Sequence, residues 1–398
     1  MTRAVARTVL GALLVVAALL GLAATPAATA SQTSQPSQPS ASPPNLALFA
    51  YYYQWFVPDS WKRAKVDLPA LGAYSSDDVW VMRQHIEQAK AAGITGFIVS
   101  WKDTPTNTRR LRALVAVAAE EHFTLSMIYQ GLDFDRKPLP AARVAADFVT
   151  FARQFAGNPV FARLGGKPLT IFSGTWAYSH ADVARITSGV RPGLLVLSTE
   201  KSVEGYRRLA DVTDGDAYYW SSVNPATNPN YAGKLNAMSA AVHADDHYWI
   251  APFAPGFDAR LVGGTKSVPR ADGRTLRAEY AAALRSSPDA LGLISWNEFS
   301  ENTYVEPSKQ YGHRYLDILA ELRHTQPPAP ASAEDSSAQP VPTTPGSGWP
   351  TIGLLIGIAV LAPVGLALLG RRLRRRSRAA RAGRRQHPSE TVERSLTR

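Results

Sequence analysis

At 398 residues and 45% hydrophobic content, the chain has enough apolar surface for a large core, and without cysteine it has neither disulfides nor thiolate metal sites. The formal net charge of +11 is confined to the ends: residues 371–398 carry eleven Arg against Glu390 and Glu393, Arg3 and Arg7 open the chain, and the stretch between is close to neutral. By composition the central part is therefore not a polyanion binder, and no nucleic acid partner is expected.

In chain order, residues 1–30 read as a secretory signal peptide: Arg3 and Arg7, an apolar run over 9–22, then Ala28-Thr29-Ala30 as a small-residue cleavage site. Residues 31–44 and 326–348 are rich in Ser, Pro, Ala, Thr and Gln and bury too little to fold, so they are expected to be extended spacers. Residues 45–325 form the one folded domain, close in length to the roughly 250 residues typical of a (β/α)8 barrel. Beyond the second spacer, 349–370 reads as a transmembrane helix. At about 1.5 Å per residue its apolar run matches a hydrocarbon core of roughly 30 Å, with Trp349 at the interface. The basic segment 371–398 then belongs on the cytoplasmic side, with the folded domain outside a single-pass cell-membrane protein.

Within the domain, short apolar, β-branched or aromatic runs mark eight strands over 46–55, 93–101, 124–131, 168–174, 193–200, 216–221, 247–255 and 291–299. Helical patterns separate them. The first follows Tyr-Ser-Ser-Asp-Asp, with Ser75 and Asp78 expected as a capping box, Val79, Met82, Ile86 and Ala89 as the apolar stripe, and Gly93 as the stop. The others cover 109–122, 141–155, 181–190, 203–212, 231–244, 274–286 and 311–324. Eight strands alternating with eight helices predict an α/β fold, a (β/α)8 TIM barrel. No G-x-G-x-x-G follows the first strand, which argues against a dinucleotide-binding open sheet.

In such a barrel the eighth strand carries Asn297 and Glu298 to the C-terminal mouth, with Glu301 in the next loop. Paired carboxylates there suit glycoside hydrolysis, which needs one protonated group for the leaving oxygen and one ionised group acting on the sugar. Ion pairing or helix capping is the competing role for either Glu, and Glu306, before Pro307, is assigned to the scaffold. Tyr52, Tyr53 and Trp55 on the first strand, Trp101 after the second, Trp176 after the fourth and Trp220 on the sixth can stack on sugar faces, with barrel packing as the alternative. Asp258 can bond a sugar hydroxyl or pair with Arg260. The histidines show no H-E-x-x-H or similar spacing, and no G-x-S-x-G elbow occurs, so neither a metal nor another cofactor is expected.

The stretch Ser-Trp-Asn-Glu-Phe-Ser-Glu-Asn-Thr-Tyr-Val-Glu-Pro, 295–307, resembles the S-F/W-N-E-W-x-E-G-x-x-I-E-P pattern of glycoside hydrolase family 99 and its 71/99-like relatives. Further matches, in family order, are YYYQWF at 51–56, AYSSDD at 73–78, HIEQAKAAGITGFIVSW at 85–101, GGKPL at 165–169 and APGFDAR at 254–260. The resemblance implies an endo-α-mannosidase or α-mannanase-like enzyme on a (β/α)8 barrel, retaining, with no cofactor. It implies that Glu298 draws the proton from the substrate 2-hydroxyl, so that this oxygen attacks the anomeric carbon and forms an anhydro-sugar, while Glu301 serves as acid and then base. Against the family's H-I-E-P-Y on the third strand this chain has Met127-Ile128-Tyr129-Gln130-Gly131. Gln130 stands where the family has Glu, with Asp133 and Asp135 as nearby substitutes. Ser300 and Asn302 replace the family's His and Gly. The expected partner is a polysaccharide or oligosaccharide. A noncatalytic carbohydrate receptor on the same barrel is the alternative, which retention of both Glu residues disfavours.

Overall fold

The computed structural model describes residues 46–133 and 135–324. The expected signal peptide, both spacers, the membrane-spanning segment and the basic tail lie outside the described residues. Among the described residues no helix is long and apolar enough to cross a membrane.

Among the described residues, eight parallel strands alternate with eight α-helices. The strands are β1 (Leu48–Tyr52), β2 (Gly96–Trp101), β3 (Thr124–Gln130), β4 (Lys167–Ser173), β5 (Leu195–Leu197), β6 (Gly215–Asp216), β7 (Tyr248–Phe253) and β8 (Ala290–Leu293). The helices that follow them in turn are α1 (Val79–Ala91), α2 (Pro105–Glu120), α3 (Ala141–Gln154), α4 (His180–Thr187), α5 (Val203–Arg207), α6 (Tyr231–His243), α7 (Arg274–Arg285) and α8 (Arg314–His324). Each expected strand segment overlaps one observed strand, three of which begin one residue earlier than expected. Most are shorter than expected, because at the mouth the chain leaves the ladder to form loops. Neighbours pair from β5 through β4, β3, β2 and β1 to β8, and on through β7 to β6. Between β5 and β6 a single parallel bridge, Ser198 to Asp216, links the edges, the Ala217 amide donating to the Ser198 carbonyl at 2.8 Å. The sheet thus curls into a TIM-barrel-like fold.

Strand side chains alternate between two cores, because successive residues point to opposite faces of a sheet. Phe49, Tyr51, Ile98, Ile128, Ile171 and Ile250 form one, inside the sheet. Leu48, Ala50, Tyr52, Phe97, Val99, Trp101 and Tyr129 belong to the other, where strands meet helices. Both faces are buried, so the strands read as continuous apolar runs.

At the start of α1 the expected capping box is corrected. Asp78 is the cap, its carboxylate accepting from the Trp80 and Val81 amides, while the Ser75 hydroxyl accepts from the Asp77 amide two residues on. Val79 is exposed, and the buried stripe is Val81, Met82, His85, Ile86 and Ala89. Gly93 follows with φ of +78°, as expected of a helix stop.

Candidate active site

The loops at the C-terminal ends of the strands surround a cleft of about 710 Å³. Its floor is built by the chain leaving β8. The Ile294 amide donates to the Phe253 carbonyl and the Trp296 amide to the Tyr51 carbonyl, both at 2.8 Å, so this segment is held between β7 and β1 beyond its assigned strand. The Glu298 amide is anchored on the Ser295 hydroxyl at 2.9 Å. Both Glu298 and Glu301 line the cleft.

Their environments differ. Glu298 is buried, and its carboxylate accepts the Ser300 amide at 2.9 Å. Burial, reinforced by the charge of Glu301, pushes its pKa up to about 8, with the Ser300 bonds and Lys65 offsetting only part of the rise. Glu301 is raised by burial, opposed by the Arg136 guanidinium. In the free protein near neutral pH the Glu298 carboxyl is therefore mostly protonated. Two carboxyls of the same residue type thus stand in one cleft in different surroundings.

From the first strand, Tyr53 and Trp55 face the cleft, their rings stacked 4.3 Å apart, and Trp55 is 45% exposed. The Tyr53 hydroxyl shares a 2.7 Å hydrogen bond with that of Tyr219, and both phenols feel the charges of Glu298 and Glu301, which together with burial hold them protonated. Gln130, Asp133 and Arg136 come from the end of β3 and its loop. Trp176 and Trp220 also line the cleft, Trp220 backed by Tyr231 at 4.4 Å with nearly parallel rings. Asp135 is exposed on the loop.

Four expected contacts are corrected. Tyr52 points into the helix layer, stacking on Phe97 at 4.7 Å and bonding His85 at 3.2 Å. Trp101 is fully buried there against Phe151 and Phe155. Both have the outward phase of their strands, so neither can meet a ligand in the barrel mouth. Asp258 is occupied by Arg260, whose guanidinium donates to it at 2.6 and 2.9 Å. Asn297 is fully buried: its side-chain amide accepts the Tyr53 amide at 2.8 Å and donates to the Tyr53 carbonyl at 2.9 Å. Asn297 thus fixes Tyr53 beside Glu298 instead of lining the cleft.

Glu306 is scaffold. Its carboxylate accepts the Tyr74 hydroxyl at 2.9 Å and meets His85 Nε2 at 3.1 Å, with both side chains of the pair fully buried. Sequence reasoning missed Tyr219, Arg136, Lys201, Lys234 and Lys266 as lining residues. For Tyr219 a signal was available: it lies beside Trp220 at the same strand end. No group of residues able to hold a metal ion occurs among the described residues.

Residues 71–324 match the model of glycosyl hydrolase family 71. Among solved structures, the family 99 endo-alpha-mannosidase of Bacteroides thetaiotaomicron in complex with Bis-Tris-propane is 20% identical, covers 70% of this chain and 96% of its own, and superposes with a TM-score of 0.62. Another structure of that enzyme gives 19% identity, 69% and 95% coverage and a TM-score of 0.61. A glycoside hydrolase-like protein gives 16%, 69% and 93%, with 0.54. At these identities the structural likeness is one of fold. No curated protein matches the chain. The family match, spanning the domain from ahead of α1 to the end of α8, shows that the chain belongs to glycosyl hydrolase family 71 and is a glycoside hydrolase.

Proposed function

We propose that the protein cleaves α-linked mannan or a related α-glycan with retention of anomeric configuration, using the substrate's own 2-hydroxyl as nucleophile. Glu298 takes the 2-hydroxyl proton as that oxygen attacks the anomeric carbon. The glycosidic bond breaks and Glu301 protonates the departing oxygen, leaving a 1,2-anhydro-sugar. Glu301 then takes a proton from water as the water oxygen attacks the anomeric carbon, and Glu298 returns its proton to the 2-oxygen. A nucleophile already attached next to the reacting carbon gains from proximity.

The observation that carries this reading is that Glu298 and Glu301 line one cleft in unequal surroundings, Glu298 buried on the Ser300 amide and Glu301 nearer solvent beside the Arg136 charge; to act as base, Glu298 must first lose the proton that burial favours. Exposed Trp55 and the inward Tyr53 offer the flat apolar surface that a sugar face stacks on. The test is hydrolysis of α-mannan and α-glucan by the wild type and by Glu298→Gln and Glu301→Gln. Either substitution should lower kcat by about 10²–10⁴-fold with the fold intact. Binding of these glycans without cleavage by the wild type would sink the proposal.

The domain is further proposed to work outside the cell. The signal at 1–30, the apolar run at 349–370 and the basic segment after it point to a single-pass anchor with the C-terminus in the cytoplasm.

A further inference from the structure

The domain is nearly neutral by composition, yet Arg136, Lys201, Lys234 and Lys266 all line the cleft that holds Glu298 and Glu301. None of the four forms an ion pair with a carboxylate among the described residues, whereas Arg109 and Arg110 share Asp77, Arg191 takes Asp214, Arg208 takes Glu200 and Arg260 takes Asp258. Two of them are held in place. The Lys201 ammonium sits 3.7 Å from the centre of the Trp176 ring, and that of Lys234 donates to the Tyr218 hydroxyl at 2.9 Å above the Tyr218 and Trp220 rings. Burial lowers the pKa of both, and Arg136 lowers that of Lys201 further, so bringing an anion to either would relieve an existing penalty.

A neutral sugar offers hydroxyls, which aromatic faces and a few neutral donors satisfy. It does not call for ammonium groups fixed over aromatic platforms at the wall of the same cleft. The wall opposes the charge that the reacting carboxylates would otherwise impose on an incoming anion, and Glu298, being mostly protonated, adds little of it. We propose that the glycan cleaved here is acidic, and that Lys201 and Lys234, with Arg136 and Lys266, select a chain bearing carboxylate or sulfate groups on sugars flanking the bond that breaks. The proposal rests on the glycan-cleaving role given above and adds the charge class of its substrate.

The test uses the full chain with one backbone in different charge states: α-mannan and α-glucan oligosaccharides, neutral, carboxylated at the primary alcohol, and sulfated. Binding is measured with Glu301→Gln, and turnover with the wild type. At low salt a charged form should bind about tenfold more tightly than its neutral parent, and about 0.5 M salt should remove most of that gain. Comparing carboxylated with sulfated forms identifies which anion is preferred. Lys201→Gln with Lys234→Gln should abolish the preference and raise KM for the acidic glycan more than it lowers kcat. Circular dichroism melting checks the fold of the pair.

Equal binding of neutral and charged forms, or a preference that survives salt and the double substitution, would overturn the proposal. Cleavage of neutral glycans alone would also overturn it, while leaving the hydrolytic mechanism standing. Charge-selective binding without turnover would do the reverse, and no binding to any form would remove both.

Discussion

Glu298 enters the reaction from the unfavourable side of its own equilibrium. To take a proton from the 2-hydroxyl it must be ionised, yet burial and Glu301 hold it at about 8. The ionised fraction of Glu298 rises with pH, but Glu301 must stay protonated in the same encounter, so kcat/KM is expected to rise with pH only as far as Glu301's own pKa, to level, and to fall above about pH 8, where both carboxyls are ionised. A pH profile on α-mannan checks this, and a rate that goes on rising above about pH 8 would count against the pair acting as one ionised and one protonated carboxyl. The aromatic residues divide by burial. Trp101→Ala should cost about 3–5 kcal/mol of stability by emptying a space in the helix layer, read from denaturant unfolding. Trp55→Ala, at an exposed ring, should cost under about 1 kcal/mol but raise KM.

At the scale of elements, the alternation along each strand decides function. In β1 the residues at 49, 51 and 53 turn inward and those at 48, 50 and 52 turn outward, so Tyr53 meets substrate space while its neighbour Tyr52 meets His85. The order Tyr-Tyr-Tyr does not reveal that phase, since both faces are apolar and either parity reads as core. The seam between β5 and β6 is the least paired part of the ring, and β6 depends on close backbone contact with β7. Gly215 has φ of +144°, and a Cβ there would stand 2.0 Å from the Tyr248 carbonyl oxygen. Gly215→Ala is therefore expected to destabilise the domain by about 3 kcal/mol, measured as a shift in the denaturant midpoint. Helix starts were legible in part: Asp78 caps α1 as its residue type invites, but the role expected of Ser75 went to a local turn, which competes for the same hydroxyl.

For the whole molecule, charge is partitioned by position: a cationic tail, a nearly neutral domain, and within that domain a cleft lined by four cations beside Asp133, Glu298 and Glu301. Expressed with both ends intact, the full chain should fractionate with membranes, with its domain accessible to protease from outside the cell. A version ending before residue 349 should be released into the medium, and recovery of the full chain in the soluble cytoplasmic fraction would count against the proposed topology. The sequence by itself determined the number and order of strands and helices, because hydrophobic periodicity is local. It also placed Glu298 and Glu301 close together after the eighth strand, because a motif keeps its spacing wherever it folds, although that strand ends at Leu293 and not at the expected 299. Only the tertiary structure decided which aromatics face the cleft, that Asn297 clamps Tyr53, that Arg260 occupies Asp258, and that lysines from separate loops converge near the reacting pair. Those facts depend on strand phase and on contacts between residues far apart in the chain, and no local pattern encodes either.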